Sequence, residues 1–345
     1  MLGGYAKDKQ ADDGQKHGRA GRKNDKRRSY EFTFGASKGG RRMAKTFMSD
    51  IIDTPKRAGK PRKTGRTIVV LDTPYIDGPL PTLRLWAEYV DQVKFPIPSL
   101  WVDEEVMERN IRGYRDLNID VQLGGVPFEL AFMQGKQREM MEKVKTLGVN
   151  VIEVESHAAE LTMEDMKQEV ARFKEEGFRT IGEVGSKWVE LDDARVVQDR
   201  IKVDKVINKM QELLEVGAEY VCFEGMIVRA LIGNQLENKA GQKELIEVAE
   251  AVGPENIIFE VWDARGHSGN KQIWAWLVHQ FGPEVNFGNI DPEEIYMLES
   301  VRRGCIYDPA HPYLRWLRHG KPTKDWWKME LPDYSVDIQR PPVWK

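Results

Sequence analysis

Residues 161–187 read LTMEDMKQEVARFKEEGFRTIGEVGSK, and a change of period inside this stretch decides the fold. Leu161, Met163, Met166, Val170 and Phe173 recur at steps of two to four, the spacing of one helix face. Glu164, Lys167, Glu169 and Lys174 are expected to face away from it. Gly177 follows, where a left-handed residue would end a helix. Residues 179–184 are then a short, mainly apolar run that carries Glu183 near its end, and Lys187 stands four residues beyond that carboxylate. An amphipathic helix, a glycine and a strand with a charged end together make one step of an alternating α/β fold.

The same step recurs along the chain at intervals of roughly 25 to 40 positions. Apolar runs occupy residues 67–72, ending at Asp72, 90–95 with Lys94, 119–125 ending in Gly124-Gly125, and 150–155 with Glu153 and Glu155. After the 179–184 run come 219–224 ending at Glu224, 256–261 with Glu260, and 284–289 with Asn286 and Asn289. Most lack strict polar alternation, as parallel strands covered on both faces should. Between them, residues 101–116, 131–147, 161–176, 200–216 and 242–252 have helical spacing, and Gly148 and Gly217 repeat the role of Gly177. The pattern predicts a (β/α)₈ TIM barrel over residues 67–305, with its chemistry at the rim where the strands stop.

With 41% apolar residues in 345, the chain can bury a core of that size, and one barrel with extensions is the economical domain count. The net charge of −3 arises from 52 basic and 55 acidic residues that are interspersed, which gives the barrel no bulk attraction for nucleic acid or membrane. No signal-peptide pattern or apolar stretch of about 18 residues occurs. Two cysteines, Cys222 and Cys305, without a CxxC fit a reduced protein of the cytoplasm. Residues 1–42 are expected to form a disordered basic extension, a solvated tail rather than a nucleic-acid-binding arm, and residues 43–66 a lead-in to the barrel. Lys38-Gly39-Gly40-Arg41-Arg42 has the composition a translated purine-rich ribosome-binding site would give, in which case the natural start is Met43. Residues 306–345 are rich in proline and hold Trp316, Trp326, Trp327 and Trp344. That arm is expected to pack over the barrel or a neighbouring subunit, and a homo-oligomer is implied.

Carboxylates at the ends of the first, fourth, fifth, sixth and seventh runs converge on one mouth in such a barrel. Like charges so gathered call for a cation, and an oxygen-liganded divalent ion such as Mg²⁺ resolves the repulsion. The duller alternative is that these acids pair with Lys94, Lys187 or arginines as structural ion pairs. Lys187 could act beside a metal as general acid or base. Gly124-Gly125 would let backbone N–H groups approach an anion, unless they simply make a tight turn. Arg265 and His267, in the loop after the seventh run, lie where barrels often bind phosphate. His157 follows the fourth run with less context, and no transition-metal ligand spacing occurs among the six histidines and two cysteines.

The motifs fall in the order Val69-Val70-Leu71-Asp72, Val93-Lys94-Phe95, Gly124-Gly125 with Phe128-Glu129, Glu153, and Glu183-Val184-Gly185 with Lys187. They continue with Glu224-Gly225, Phe259-Glu260, Asn286 with Asn289-Ile290, Leu298-Glu299 and Arg302-Arg303-Gly304. In this sequence, from Arg66 to Gly304, the chain resembles the phosphosulfolactate synthase family, which includes plant heat-stress-associated relatives. The resemblance implies a (β/α)₈ barrel and Mg²⁺-dependent addition of sulfite to phosphoenolpyruvate, on a route to coenzyme M. It implies that Glu183, Glu224 and Glu260 hold or orient the metal with Asp72 and Glu153 in support. Lys187, Lys94 and Glu183 would be the catalytic groups, and Gly124, Gly125, Arg229, Arg265, His267 and Asn286 would meet a small anionic substrate.

Several departures bear on the substrate. The family's Asp-Lys-Gly becomes Asp72-Thr73-Pro74, its Lys-Phe-Gly-Trp-Gly-Thr becomes Lys94-Phe95-Pro96-Ile97-Pro98-Ser99, and its Glu-Gly-Arg-Glu-Ser-Gly becomes Glu224-Gly225-Met226-Ile227-Val228-Arg229. Near the end, Arg-Gly-Leu-Arg-Gly-Asp-Thr becomes Arg303-Gly304-Cys305-Ile306-Tyr307-Asp308-Pro309. Cationic positions are thus replaced by Thr73, Met226 and Ile306, and each charged hydrogen bond to an anion is worth roughly 1.5–3 kcal/mol. Either Arg229, Arg265, His267 or Lys271 restores that charge, or the pocket accepts a less anionic substrate, the reading preferred here. The rival is a catalytically silent relative with a stress-protective or scaffolding role.

Overall fold

The structure, a computed structural model, describes residues 46–71, 80–185, 199–261 and 270–305, the backbone alone of 189–191 and 194–196, and residues 313, 317 and 325–328. Among the described residues ten strands follow in chain order: β1 (Thr67–Val70), β2 (Gln92–Phe95), β3 (Asp120–Leu123), β4 (Val151–Val154), β5 (Arg179–Val184), β6 (Val189–Leu191), β7 (Ala194–Val196), β8 (Tyr220–Phe223), β9 (Ile257–Glu260) and β10 (Asn286–Ile290). Eight of them close a parallel barrel in the order β1-β10-β9-β8-β5-β4-β3-β2, and each of the eight apolar runs yields one of these strands. The hairpin β6-β7, which is antiparallel, was not foreseen in the segment after β5.

The helices are α1 (Pro81–Leu85), α2 (Glu104–Asp116), α3 (Gly125–Met133), α4 (Gln137–Leu147), α5 (Met163–Glu175), α6 (Val203–Glu215), α7 (Gly225–Ile232), α8 (Lys239–Val252), α9 (Asn270–Phe281) and α10 (Ile295–Arg302). Thr162 and Asp165 form a capping box at the start of α5, so two orphan N–H groups are satisfied where the apolar periodicity begins. Gly148, Gly177 and Gly217 end α4, α5 and α6 at φ 97°, 87° and 109°, as the helix, glycine, strand rhythm requires. Two expectations are corrected. The 131–147 stretch is two helices, broken at Gln134–Lys136, where Gly135 takes φ 64°. Glu169 does not face solvent: it is buried and pairs with Arg172 at 3.0 Å, and burial pushes its carboxyl above the ordinary range.

Alternation along each strand sorts side chains into two cores. Val69, Val93, Val121, Ile152, Val221 and Phe259 point outward into the layer covered by the helices. Ile68, Val151, Ile181, Tyr220, Cys222 and Ile258 fill the barrel interior. At the end where the strands begin, the guanidinium of Arg66 lies 5.4 Å from the Tyr220 ring centre and 3.3 Å from Asp120. The lead-in closes this end, with Arg62 3.0 Å from Asp91 and the Tyr220 hydroxyl donating to Lys63 O at 2.7 Å. The C-terminal arm packs on the barrel where it is described: Trp326 is buried against Gly304, and His279 Nδ1 is 2.8 Å from Trp327 O. Trp316, Trp344 and residues 1–42 lie outside the described residues. Among the described residues no helix is long and apolar enough to cross a membrane.

Candidate active site at the barrel mouth

Glu153 on β4, Glu183 on β5, Cys222 on β8 and Glu260 on β9 all occupy inward positions near the strand ends. Register sets Glu183 beside Cys222 and Glu260 beside Gly288. Gly288 leaves the space that Glu260 needs, because a Cβ there would lie 3.0 Å from Ile258 and 3.1 Å from Glu260 Cγ. One ligand atom from each of the four residues lies within 4.8 Å of the others, and all four are buried.

Lys94, inward on β2, reaches into this group. Its Nζ lies 2.9 Å and 3.1 Å from the two oxygens of Glu153 and 2.7 Å from Glu260. Burial alone would discharge the amine, but Glu153, Glu260 and Glu183 outweigh it and hold its pKa well above the ordinary lysine value. Lys94 is therefore an ammonium, the internal cation that the like-charge argument required. Glu153 Oε2 also accepts from Gly125 N–H at 3.0 Å. The Cys222 thiol is shifted in the same direction: burial, then Glu260, Glu183 and Glu153, raise its pKa well above its usual value. It enters the cluster as a neutral thiol.

Among the described residues, three carboxyl groups share one ammonium in this cluster. Its three carboxylates are hard oxygen donors, a set that fits Mg²⁺.

Of the expected ligands, Glu153, Glu183 and Glu260 come together and Glu224 does not join them. α7 starts immediately after β8, and the Glu224 carboxylate turns back to cap it, accepting from Met226 N at 2.9 Å and Ile227 N at 3.2 Å. A carboxylate at that helix end is stabilised by the peptide dipoles. Gly185, at φ 138°, packs against the Glu224 Cβ and keeps it beside the mouth. Gly124 caps α3 and donates to Phe95 O at 2.9 Å, and the N–H of Gly125 is taken up by Glu153. Both glycines thus brace the site internally.

Arg229, on α7, donates to Asn270 Oδ1 and lies 3.4 Å from Asn234 Oδ1. Asn270 in turn donates to Glu294 at 3.0 Å and 3.2 Å, which ties the starts of α9 and α10 to α7. Asn286 is a correction to the expected substrate ligands. It sits at the start of β10, accepts from Arg66 N at 3.0 Å and donates to Glu255 O and Ile257 O at 2.8 Å and 3.1 Å, at the closed end of the barrel. Asp72, Lys187, Arg265 and His267 lie outside the described residues, as do Thr73 and Ile306.

Three contributors were given no role at the site in the sequence analysis. Cys222 could have been found by counting two positions back from Glu224, since both share the inward face. Glu129, fully buried on α3, accepts from the N–H groups of Ala158 at 2.7 Å, Ala159 at 2.9 Å and His157, and so pins the loop after β4. Asn270 gave no signal, because its partners Arg229 and Glu294 are distant in sequence.

A family model described as (2R)-phospho-3-sulfolactate synthase (ComA) matches residues 55–308. A phosphosulfolactate synthase of Methanocaldococcus jannaschii is 32% identical over 228 residues, 66% of this chain and 86% of that one. A second, from Methanothermobacter thermautotrophicus, is 28% identical over 257 residues, 74% of this chain and 95% of that one. A third, from Bacillus subtilis, is 25% identical over 261 residues, 74% of this chain and 96% of its own.

Proposed function

The chain belongs to the phosphosulfolactate synthase family, and on that premise we propose that it adds a nucleophile to phosphoenolpyruvate or a related enolisable carboxylate. Sulfite with phosphoenolpyruvate is the reference pair. The observation that carries this reading is the meeting of Glu153, Glu183 and Glu260 around Lys94 at the strand ends.

In the proposed reaction the nucleophile's lone pair forms a bond to the methylene carbon. The displaced π electrons move to carbon two and its carboxylate as an enediolate, and an acid then returns a proton to carbon two. Glu153, Glu183 and Glu260 would hold Mg²⁺, which when bound would supply positive charge for the enediolate. Lys94 holds Glu153 and Glu260 in register and places a fixed positive charge within the same cluster. The Gly125 N–H fixes the second oxygen of Glu153. Lys187, four residues beyond Glu183, is the acid in this proposal. Arg229, Arg265 and His267 are proposed to meet the distal anion. With Thr73, Met226 and Ile306 at the cationic positions of the family pattern, the preferred substrate is less anionic than the reference pair.

One observation favours the rival reading of a catalytically silent relative: Lys94 neutralises part of the acid cluster through its ion pairs with Glu153 and Glu260. The discriminating experiment follows thermal stability during titration with Mg²⁺, phosphoenolpyruvate and sulfite, since a ligand selective for the folded state must raise it. A dose-dependent rise with Mg²⁺ that is lost in Glu183→Gln, together with turnover, supports the enzyme. No response to any of the three supports the silent reading.

A further inference from the structure

A groove of about 600 Å³ opens directly from Glu183, Val184 and Gly185 and runs outward between α5 and α6. That volume is in the range of sites that enclose organic ligands larger than the reference substrates. Its walls are apolar, with Leu161, Met163 and Met166 on one side and Val206 and Ile227 on the other.

The rim has the opposite character. Arg200, Lys202, Lys205 and Lys209 line it, and Glu183 is the one acid among the described lining residues. Arg200 is occupied by Glu244. Among the described residues Lys202, Lys205 and Lys209 form no ion pair, and the neighbouring acids Glu164 and Glu212 are both engaged by Lys167. The three lysines recur at the steps of a single helix face, so they converge on the groove. Like charges at i, i+4 disfavour a helix, and Lys205 with Lys209 is such a pair. An anion lying across both would turn that repulsion into binding. Lys202 gives α6 no side-chain cap, and Asp204 is the one acid in its first turn.

We propose that this groove receives the tail of the substrate, an alkyl stem ending in a phosphate, while the reacting carboxylate sits at the Glu153–Glu183–Glu260 cluster. The inference rests on the reading of that cluster as the reacting centre, and it names a substrate class: a carboxylate with an apolar stem and a distal phosphate. In this proposal the groove lysines replace Arg229, Arg265 and His267 as partners of the distal anion, and the mouth meets the carboxylate alone. In sequence the cationic positions of the family pattern are taken by Thr73, Met226 and Ile306, whereas the groove is lined by lysines.

The test uses the full-length chain and monomeric octyl phosphate, with inorganic phosphate as the control, read by calorimetry and by thermal shift. Octyl phosphate is expected to bind at least tenfold more tightly than inorganic phosphate, and Lys205→Ala/Lys209→Ala to weaken it at least tenfold while circular dichroism is unchanged. Equal affinity for the two phosphates, or equal affinity in the double variant, overturns the proposal. Neither readout needs turnover. Lysine-dependent binding without Mg²⁺ response or turnover would therefore remove the reaction and keep the groove, and the reverse result would remove the groove alone.

Discussion

Lys94 Nζ and Glu260 Oε1 lie 2.7 Å apart across the barrel interior, joining strands whose residues are separated by 166 positions. Both side chains are buried, so neither charge has water to fall back on. Removing one partner of such a pair costs about 3–5 kcal/mol, because the other charge is left uncompensated. Lys94→Met should lower unfolding free energy by about that amount in urea titrations. The double variant Lys94→Met/Glu260→Gln should recover part of the loss, and strictly additive effects would show that the two groups are not coupled.

The glycines of the 119–125 run make a sharper comparison. A Cβ on Gly125 would run into the carboxyl group of Glu155, whereas one on Gly124 would stand 3.0 Å from Phe95 O and 3.5 Å from Lys94 Cε. Gly125→Ala should therefore cost about 1–3 kcal/mol, as overpacking does, and Gly124→Ala distinctly less. Thermal unfolding of the two variants decides this, and a larger loss for Gly124→Ala would contradict the geometry.

How much of this was legible follows from where each signal is stored. The strands were readable because burial on both faces imposes short apolar runs, and the carboxylates at their ends named Glu153, Glu183 and Glu260. The break in α3–α4 was not, because Gly135 inside an otherwise helical pattern costs little locally and only tertiary packing decides whether the chain turns. Asn286 was misassigned, and Glu224 was not recognised as a helix cap, for one shared reason. A polar residue at a strand terminus can face the mouth, cap a helix or lock a neighbouring strand, and periodicity does not separate these. The sequence offered Lys94 as an ion-pair partner of the strand-end acids, but its choice of Glu153 and Glu260, 59 and 166 residues away, is fixed only once the barrel closes.

At the closed end, pH dependence should come from Asp120. Partial burial would raise its carboxyl, but Arg179, with hydrogen bonds from Asn150 and Arg115, outweighs this and holds it well below the ordinary carboxylate range. A depressed folded-state pKa contributes stability that is complete above the unfolded value, near 3.8, and is lost as pH falls through the folded one. The melting temperature should thus decline with acidification below about pH 5. Asp120→Asn should flatten that decline and cost about 1.5–3 kcal/mol at neutral pH, the range for hydrogen bonds to a charged group. An unchanged acid limb in the variant would assign the loss to other carboxylates.

Glu129 tests whether the loop after β4 matters to the site or only to the fold. One of its oxygens gathers the N–H groups of His157, Ala158 and Ala159, and those residues directly follow Glu155, whose carboxyl leans on Gly125. Gly125 in turn donates to Glu153, so slack in the loop has a short route to the acid cluster. Glu129→Ala removes all three hydrogen bonds at once, and each neutral-to-charged bond of this kind is worth roughly 1.5–3 kcal/mol. Hydrogen exchange at residues 157–159 should accelerate well beyond any change in the global unfolding rate. Octyl phosphate binding, which depends on α6, should be little altered, while the stabilisation by Mg²⁺ should weaken. If exchange at 157–159 instead rises only in step with global unfolding, the loop is held by its neighbours and Glu129 serves packing alone.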